Sequence, residues 1–446
     1  MAFREAPLAT RELPPGIPYI VGNEAAERFS FYGMKAILAV YMTQYLMDAA
    51  GNKALMSENE ATEWVHLFNA AAYFFPLIGA LVSDGLWGKY PTIMRISLLY
   101  CAGHAALAVD DTRVGLVIGL ALIAMGAGGI KPCVSAHVGD QFGEANKHLL
   151  EKVFGWFYAA INLGSAVAYL LIPVLLERYG PGLAFGVPGV LMAVATLVFW
   201  LGRNEFAHIP PAGARFFKET FTLDGFKSVA RLFPLYGFIA VFWSLYDQTG
   251  STWVLQAEKM DREFLGVTWL SSQIGAINPL LILLFIPLFA TTVYPALNRL
   301  WPLSALRKIG LGLFLTVPSF LLTAWVETQI QAGLHPSIGW QLLAYVIITA
   351  AEILVSVTVL EFAYTQAPNS MKSLVMGFYW CSVSAGNLIT AGVASINQRP
   401  DGSLLLAGAD YYLFFSALMA AAALVYVPMA RRFQVRSYVQ DAARGA

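Results

Sequence analysis

The sequence predicts an all-α polytopic membrane protein. Of its 446 residues, 58% are hydrophobic and only 13% are charged, whereas a soluble domain carries about 25% charged residues. The mean hydropathy is +0.60. Apolar stretches of about 20 residues, the length that crosses a bilayer as a helix, recur from one end of the chain to the other. A soluble bundle that is apolar on all sides is the alternative interpretation.

Twelve apolar segments are predicted to span the membrane, and they are numbered in chain order. Most of the 28 Lys and Arg residues lie in loops and tails on the side of the N-terminus. By the positive-inside rule we expect both termini in the cytoplasm. The membrane is expected to be the plasma (inner) membrane. The predicted spans are 17–47, 64–84, 92–110, 112–137, 152–176, 183–202, 231–255, 268–297, 306–327, 338–365, 371–397 and 407–431.

The longest polar stretch, 203–230, lies midway along the chain and carries Pro210 and Pro211. It predicts an N-terminal six-helix bundle at 1–202, a cytoplasmic linker at 203–230, and a C-terminal six-helix bundle with a short tail at 231–446. Two six-span halves are the arrangement of transporters that are built from related bundles. Spans 1 and 7 are then equivalent, as are spans 4 and 10.

Span 1 carries an unusual row of charged residues. Glu24, Arg28, Tyr32 and Lys35 recur every three or four residues and so share one helix face, with Glu27 beside them. A single charged side chain at mid-bilayer costs about 2.5–3.5 kcal/mol on insertion scales. Several in one span are therefore expected to face a polar cavity or each other.

Charged residues also occur inside three other spans. Lys131 precedes Pro132 in span 4, where a kink is expected. Asp247 lies in span 7 and Glu352 in span 10. Ionisable residues at such depth indicate a functional site, although a lysine that reaches the interface is the structural alternative for Lys131. For Glu361, lower in span 10, a structural role is equally open.

The equivalence of the two halves suggests two pairs that act as gates. Lys131 and Glu352 lie in equivalent spans 4 and 10, and Lys35 and Asp247 lie in equivalent spans 1 and 7. Ion pairs between the bundles would form when the bundles close and break when they open. The N-terminal half would then present a mainly basic wall to the cavity and the C-terminal half an acidic wall.

Several short motifs follow one another in matching spans. The first reads EAAERFSFYG, and a later one reads FYAAINLGS. The motifs lie at 24–33, 126–142, 157–165, 242–248 and 361–372. In this order they resemble the motifs of the proton-dependent oligopeptide transporter (POT) family, and residues 79–89 resemble the loop motif of the major facilitator superfamily.

The resemblance implies a major facilitator fold that imports di- and tripeptides together with protons by alternating access. It implies no cofactor, a functional monomer in the lipid bilayer, and protons as the coupling ion. Some bacterial members carry two additional spans between the halves, but 203–230 is too short and too polar to hold them. We therefore expect twelve helices in two six-helix bundles.

The resemblance also implies roles for individual residues. The peptide carboxylate is expected to face Arg28 and Lys131, and the amino group Glu352, while Asn162 and Asn278 bind backbone groups. A kink satisfied within the bundle is the alternative for Asn278, which precedes a proline. The further residues expected to bind substrate are Phe31, Tyr32, Lys35, Tyr73, Trp243, Trp380 and Ser384.

Proton coupling requires a carboxylate whose proton affinity changes with conformation. Burial raises the pKa of a carboxyl group and a nearby Arg or Lys lowers it, so Glu24 and Glu27 beside Arg28 are candidates. Because Glu27 and Arg28 are neighbours, we expect Glu27 to stay paired and Glu24 to carry the proton. Asp247 is a second candidate.

The sequence departs from the family pattern at three positions: Phe31 replaces a tyrosine, Lys35 an arginine found in many members, and Asp247 a glutamate found in many bacterial members. Peptide preference is therefore expected to be shifted. Proton-coupled transport of another small anionic or zwitterionic solute, such as nitrate or a drug, is the alternative function.

Other classes of function are not favoured. The net charge is zero, so no nucleic acid partner is expected. The six histidines and three cysteines are scattered without metal-ligand spacing or a nucleophile–base arrangement, so neither a metal site nor an enzyme is predicted.

Overall fold

A computed structural model describes residues 3–220, 222, 227, 229–366, 372–399 and 401–434, without the side chains of 219, 220, 364, 372 and 373. The part of the predicted span 10–11 motif at 367–371 lies outside these residues. So do most of the linker between 221 and 228 and the tail after residue 434.

The described residues form the twelve predicted helical spans, so the all-α fold class is confirmed. One small exception is a two-stranded antiparallel hairpin, Glu263–Phe264 with Val267–Thr268. A short helix, Ala214–Thr220, lies in the linker. Spans 1 to 6 are Ile17–Gln44, Glu58–Val82, Lys89–Val109, Arg113–Gly139, Leu150–Tyr179 and Pro181–Leu201. Spans 7 to 12 are Phe233–Tyr246 continued by Thr252–Ala257, Ser271–Leu300, Ala305–Gln331, Gly339–Glu352 continued to Thr358–Thr365, Lys372–Asn397 and Ala409–Arg432.

Ten of these helices are long and apolar enough to cross a membrane by length and composition. The other two are spans 1 and 7. Span 1 is long enough, but the charged row lowers its hydropathy. Span 7 is interrupted by the tight turn Asp247–Gly250. The two spans that deviate from a plain apolar helix are therefore those that carry the predicted pair of Lys35 and Asp247.

The buried apolar side chains form two main clusters. One is drawn almost entirely from spans 1 to 6 and the other almost entirely from spans 7 to 12. Each half thus packs around its own core, which allows the halves to move relative to each other. The boundaries at 202 and 230 themselves stay a prediction.

Spans 2 and 4 are joined backbone to backbone. A Cβ atom on Gly79 would overlap the carbonyl oxygen of Gly129, and one on Gly128 would lie 2.5 Å from the carbonyl oxygen of Ala72. Only glycine permits so close an approach of two helices in a membrane. Lys131 in span 4 is therefore held rigidly against span 2.

Both described ends of the chain lie on one side, which we call the terminal side. Arg4 forms a bridge with Ala207, and Arg231 donates to the carbonyl oxygen of Gln434. On the opposite side the bundles touch. Asn59 donates to the carbonyl oxygen of Ala394 at 2.7 Å, joining spans 2 and 11. The bundles are thus in contact on the opposite side.

Candidate functional site

A cavity of about 350 Å³ lies between the two bundles. A second space of about 670 Å³ shares Lys131 and Trp380 with it and reaches Lys89 and Gly139 at the helix ends on the terminal side. The cavity is therefore accessible from the terminal side. The predicted residues that line it are Arg28, Tyr32, Lys35, Tyr73, Lys131, Asn162, Trp243, Asp247, Asn278, Glu352 and Trp380.

The charged row of span 1 forms an ion cluster behind the cavity wall. The Nε atom of Arg28 lies 2.7 Å from Oε1 of Glu24 and 3.2 Å from Oε2 of Glu27. Glu24 accepts a hydrogen bond from Arg28, whereas neither carboxylate oxygen of Glu27 has a hydrogen-bond partner among the described residues. The expected pairing of Glu27 with Arg28 is therefore present, but Glu24 is the carboxylate that is hydrogen-bonded to Arg28. Which of the two carries the proton stays a prediction.

Lys35 and Asp247 form a buried ion pair between the bundles. The Lys35 Nζ atom donates to Oδ1 of Asp247 at 3.0 Å. The second oxygen of Asp247 accepts from Asn387 at 2.7 Å, and Asn387 contacts Nδ1 of His66 at 2.7 Å. His66 reaches Ser251 through Nε2 at 2.9 Å. The predicted contact is present and forms part of a polar network that joins spans 1, 2, 7 and 11.

His66, Asn387 and Ser251 were not among the residues predicted to form the site. Helical spacing contained a signal for two of them. His66 lies seven residues before Tyr73, and Asn387 lies seven residues after Trp380, so each shares a face with a cavity residue. No pattern in the sequence, however, linked His66, Asn387 and Ser251 to one another.

Lys131 has no ion pair with a described residue, and its predicted pair with Glu352 is not formed. Its ammonium group lies 4.7, 4.5 and 5.4 Å from the ring centres of Phe31, Tyr73 and Trp380. Such cation–π contacts stabilise a charge by about 0.5–2 kcal/mol each, without neutralising it. Lys131 therefore presents a free positive charge to the cavity.

Glu352 lines the cavity opposite the basic residues of span 1. Its Oε2 atom accepts hydrogen bonds from Tyr246 at 2.8 Å and from Asn278 at 2.9 Å. Asn278 also donates to Thr349 at 3.0 Å. No Lys or Arg among the described residues lies within ion-pair distance of Glu352. Neutral donors thus fix the orientation of this carboxylate, and Tyr246 is a contact that the sequence did not predict.

Two predicted substrate residues do not line the cavity. Phe31 is fully buried, and its ring packs against Tyr32 at 5.5 Å beneath Lys131. Ser384 donates to the carbonyl oxygen of Ala70 at 2.7 Å and so joins span 11 to span 2. The helical register placed Ser384 on the face of Trp380 correctly, but this face also contacts the neighbouring bundle.

At the terminal-side mouth, Lys89 pairs with Asp140 at 2.8 Å. Burial raises the pKa of the Asp140 carboxyl group, although Lys89 beside it opposes the rise. The pair ties the start of span 3 to the end of span 4.

Comparison with known proteins identifies the family. The family model of the POT family matches residues 90–224 and 221–412. The chain belongs to the POT family. It is 37% identical to peptide transporter family 1 of Drosophila melanogaster over 72% of this chain and 49% of that protein. It is 35% identical to solute carrier family 15 member 2 of Rattus norvegicus over 78% of this chain and 53% of that protein.

This POT-family chain spans about half the length of the curated relatives that it matches. It nevertheless covers 99% of the crystallised POT family transporter PepTSo, with a TM-score of 0.86 and 35% identity over 96% of this chain. An auto-inhibited POT family peptide transporter matches with a TM-score of 0.85 and 34% identity over 96% of this chain and 99% of that chain. The major facilitator fold with two helical bundles follows from these matches.

Proposed function

We propose that this protein is a proton-coupled symporter that imports di- and tripeptides by alternating access. One observation carries the proposal. Lys131 and Glu352, neither of which forms an ion pair with a described residue, line the same cavity from different bundles. A zwitterionic peptide carries the complementary charges at its two ends and would bridge the two walls.

The relatives support this substrate class. Those matched in Drosophila melanogaster and Rattus norvegicus are named as a peptide transporter and a solute carrier. We assign the peptide carboxylate to Arg28 and Lys131 and the amino group to Glu352. Asn162 and Asn278 are the candidates for backbone contacts, although both amides are engaged within the protein.

The orientation proposed from the loop charges makes the terminal side cytoplasmic, and we place the protein in the plasma (inner) membrane by analogy with the POT family. The structure then corresponds to an inward-open conformation, closed on the outside by Lys35 and Asp247 and by contacts such as that between Asn59 and Ala394. We propose that a monomer is the functional unit and that no cofactor beyond the coupling proton is needed.

Glu27 is the proposed proton carrier, because its carboxylate lies 3.2 Å from Arg28 without a hydrogen bond. A peptide carboxylate that draws Arg28 toward the cavity would weaken this contact and favour protonation of Glu27. Asp247 is the second candidate, since it links Lys35 to the network that ends at His66 and Ser251. A membrane potential supplies about 2.3 kcal/mol per charge per 100 mV to drive the cycle.

The deciding experiment is dipeptide uptake into proteoliposomes with and without an inward proton gradient. We expect accumulation only with the gradient. Uptake that is indifferent to the gradient would exclude coupling, and uptake of nitrate or a drug in place of peptide would exclude the substrate class.

Glu27→Gln tests the carrier and Glu24→Gln is its matched control. We expect Glu27→Gln to abolish gradient-driven uptake and to retain peptide counterflow, which needs no net proton movement. Glu24→Gln keeps an oxygen that can accept from Arg28 but removes the negative charge of this ion pair, and it should reduce both activities. The reverse pattern would restore Glu24 as the carrier.

A further inference from the structure

A separate pocket of about 100 Å³ lies between the bundles on the side opposite to the termini. It shares no lining residue with the central cavity. Glu58, Asn59 and Thr62 at the start of span 2 form the wall from the N-terminal bundle. Spans 7, 9, 11 and 12 of the C-terminal bundle and the loops that follow spans 7 and 11 supply the rest, so the pocket is complete only while the two bundles touch.

The pocket contains a carboxylate without a cationic partner. Glu327 is 8% exposed and accepts one hydrogen bond, from Nε2 of Gln256 at 2.7 Å. No Lys or Arg among the described residues lies within 4 Å of it. Lys259 lines the same pocket, but its ammonium group pairs with Glu58 at 2.7 Å. The lining therefore has a net charge of −1, located on Glu327.

Two more oxygen atoms in this pocket have no partner. Oε1 of Gln256 and the hydroxyl of Tyr411 are buried without a hydrogen bond to any described residue, and these side chains are 2% and 8% exposed. A buried polar atom left unsatisfied costs about 1–3 kcal/mol. A ligand that interacts with oxygen atoms would remove this cost at both positions.

We propose that this pocket binds a small monovalent cation, either an alkali ion or an ammonium ion. One carboxylate, one amide oxygen and one phenol oxygen form a hard oxygen set that matches such an ion in charge and type. A calcium ion takes six to eight oxygen ligands, with several carboxylates among them, and this pocket offers one free carboxylate. Metals that prefer nitrogen or sulfur ligands do not match the site, because the lining contains no His or Cys.

Binding would favour one conformation of the protein. Because Glu58, Asn59 and Thr62 complete the pocket from the other bundle, a cation bound there selects the state in which the outer ends of the bundles are together. The site would thus make closure of the opposite side sensitive to the salt composition there. The inference does not depend on the identity of the transported substrate.

Thermal unfolding of the purified full-length protein tests the site. The melting temperature would be compared in Na⁺, K⁺, NH₄⁺ and N-methyl-D-glucamine chloride at equal ionic strength and pH. We expect at least one of the three small cations to raise it by about 1–3 °C over the bulky cation. The most effective ion identifies the preferred ligand.

Glu327→Gln should eliminate this difference, since it removes the charge and keeps an oxygen that can accept from Gln256. Tyr411→Phe removes one oxygen only. It should increase about tenfold the cation concentration that gives half of the maximal rise in melting temperature. This second variant keeps the test decisive if Glu327→Gln does not fold. The matched control is Glu263→Gln, an exposed acid on the same side, which should leave the response unchanged.

Equal melting temperatures in all four salts would overturn the proposal, as would a cation response that survives Glu327→Gln. The melting temperature of the wild-type protein could also change with pH and not with the cation. This result would mean that a proton neutralises Glu327, and it would overturn the proposal.

Discussion

Two pairs of charged residues occupy equivalent places in the two halves, and they are in opposite states. Lys35 and Asp247 are joined at 3.0 Å and both are buried. Lys131 and Glu352 are apart: aromatic rings surround the first, and neutral donors hold the second.

The difference is what the proposed alternation between two gates requires. A charge that has lost its partner in a membrane is costly, so each pair needs other contacts when it is open. The structure supplies rings for the lysine and hydroxyl and amide donors for the glutamate. These contacts leave both charges available to a ligand, whereas Lys35 and Asp247 neutralise each other.

The largest expected effect comes from breaking the closed pair. Asp247→Ala leaves Lys35 as an unpaired buried cation, and such changes destabilise proteins by about 3–5 kcal/mol. Thermal unfolding should show a marked loss of stability, and exchanging the charges, with Lys35→Asp and Asp247→Lys together, should recover part of it. If the exchanged protein is no more stable than Asp247→Ala, the ion pair is not what holds this side closed.

The next effect comes from removing the free cation. Lys131→Gln breaks no ion pair, so stability should change little, while peptide affinity should fall about 10- to 100-fold because a charge-assisted hydrogen bond contributes about 1.5–3 kcal/mol. Equilibrium peptide binding and thermal unfolding measured on the same sample separate the two quantities. A large loss of stability with unchanged affinity would mean that Lys131 is structural.

A smaller effect is expected at the acidic wall. Glu352→Gln keeps an oxygen that can accept from Tyr246 and Asn278, so the fold should be retained. Dipeptide affinity should fall about tenfold through loss of one charge interaction. An N-acetylated dipeptide, which lacks the cationic amino group, should bind wild type and variant equally. Equal losses for both ligands would show that Glu352 does not bind the amino group.

The smallest effect concerns the rings around Lys131. Trp380→Leu removes one cation–π contact of about 1 kcal/mol, so peptide affinity should change about fivefold, in either direction. Trp325→Leu, at a half-exposed tryptophan outside the cavity lining, is the matched control and should have no effect. If both variants bind peptide like wild type, the rings do not influence the charge.

The sequence predicted the spans and the charged residues well because both follow from the cost of polar groups in lipid. Lys35 and Asp247 could be paired in advance from the equivalence of spans 1 and 7. The pair of Lys131 and Glu352 that the same rule predicts is not formed in this structure, and whether it forms in another conformation stays a prediction.

Contacts between the bundles could also not be predicted from the sequence. Ser384 binds Ala70 and Asn387 links Asp247 to His66 because of how far each helix is rotated and shifted against its neighbour. The hydrogen bond that distinguishes Glu24 from Glu27 depends on a side-chain rotamer, which helical periodicity does not specify.

The glycine contact between spans 2 and 4 has a consequence for Lys131. Because Gly79 packs directly against the backbone of Gly129, spans 2 and 4 form one rigid unit, and Lys131 and Tyr73 move together with their bundle. Trp380 alone among the three rings belongs to the other bundle, and it stacks on Tyr73 at 5.6 Å. If the bundles slide past each other, Lys131 loses its contact with Trp380 and keeps its contacts with Phe31 and Tyr73. In a variant that keeps Trp380 as its single tryptophan, the intensity and wavelength of the fluorescence would then report how far the two bundles have moved relative to each other.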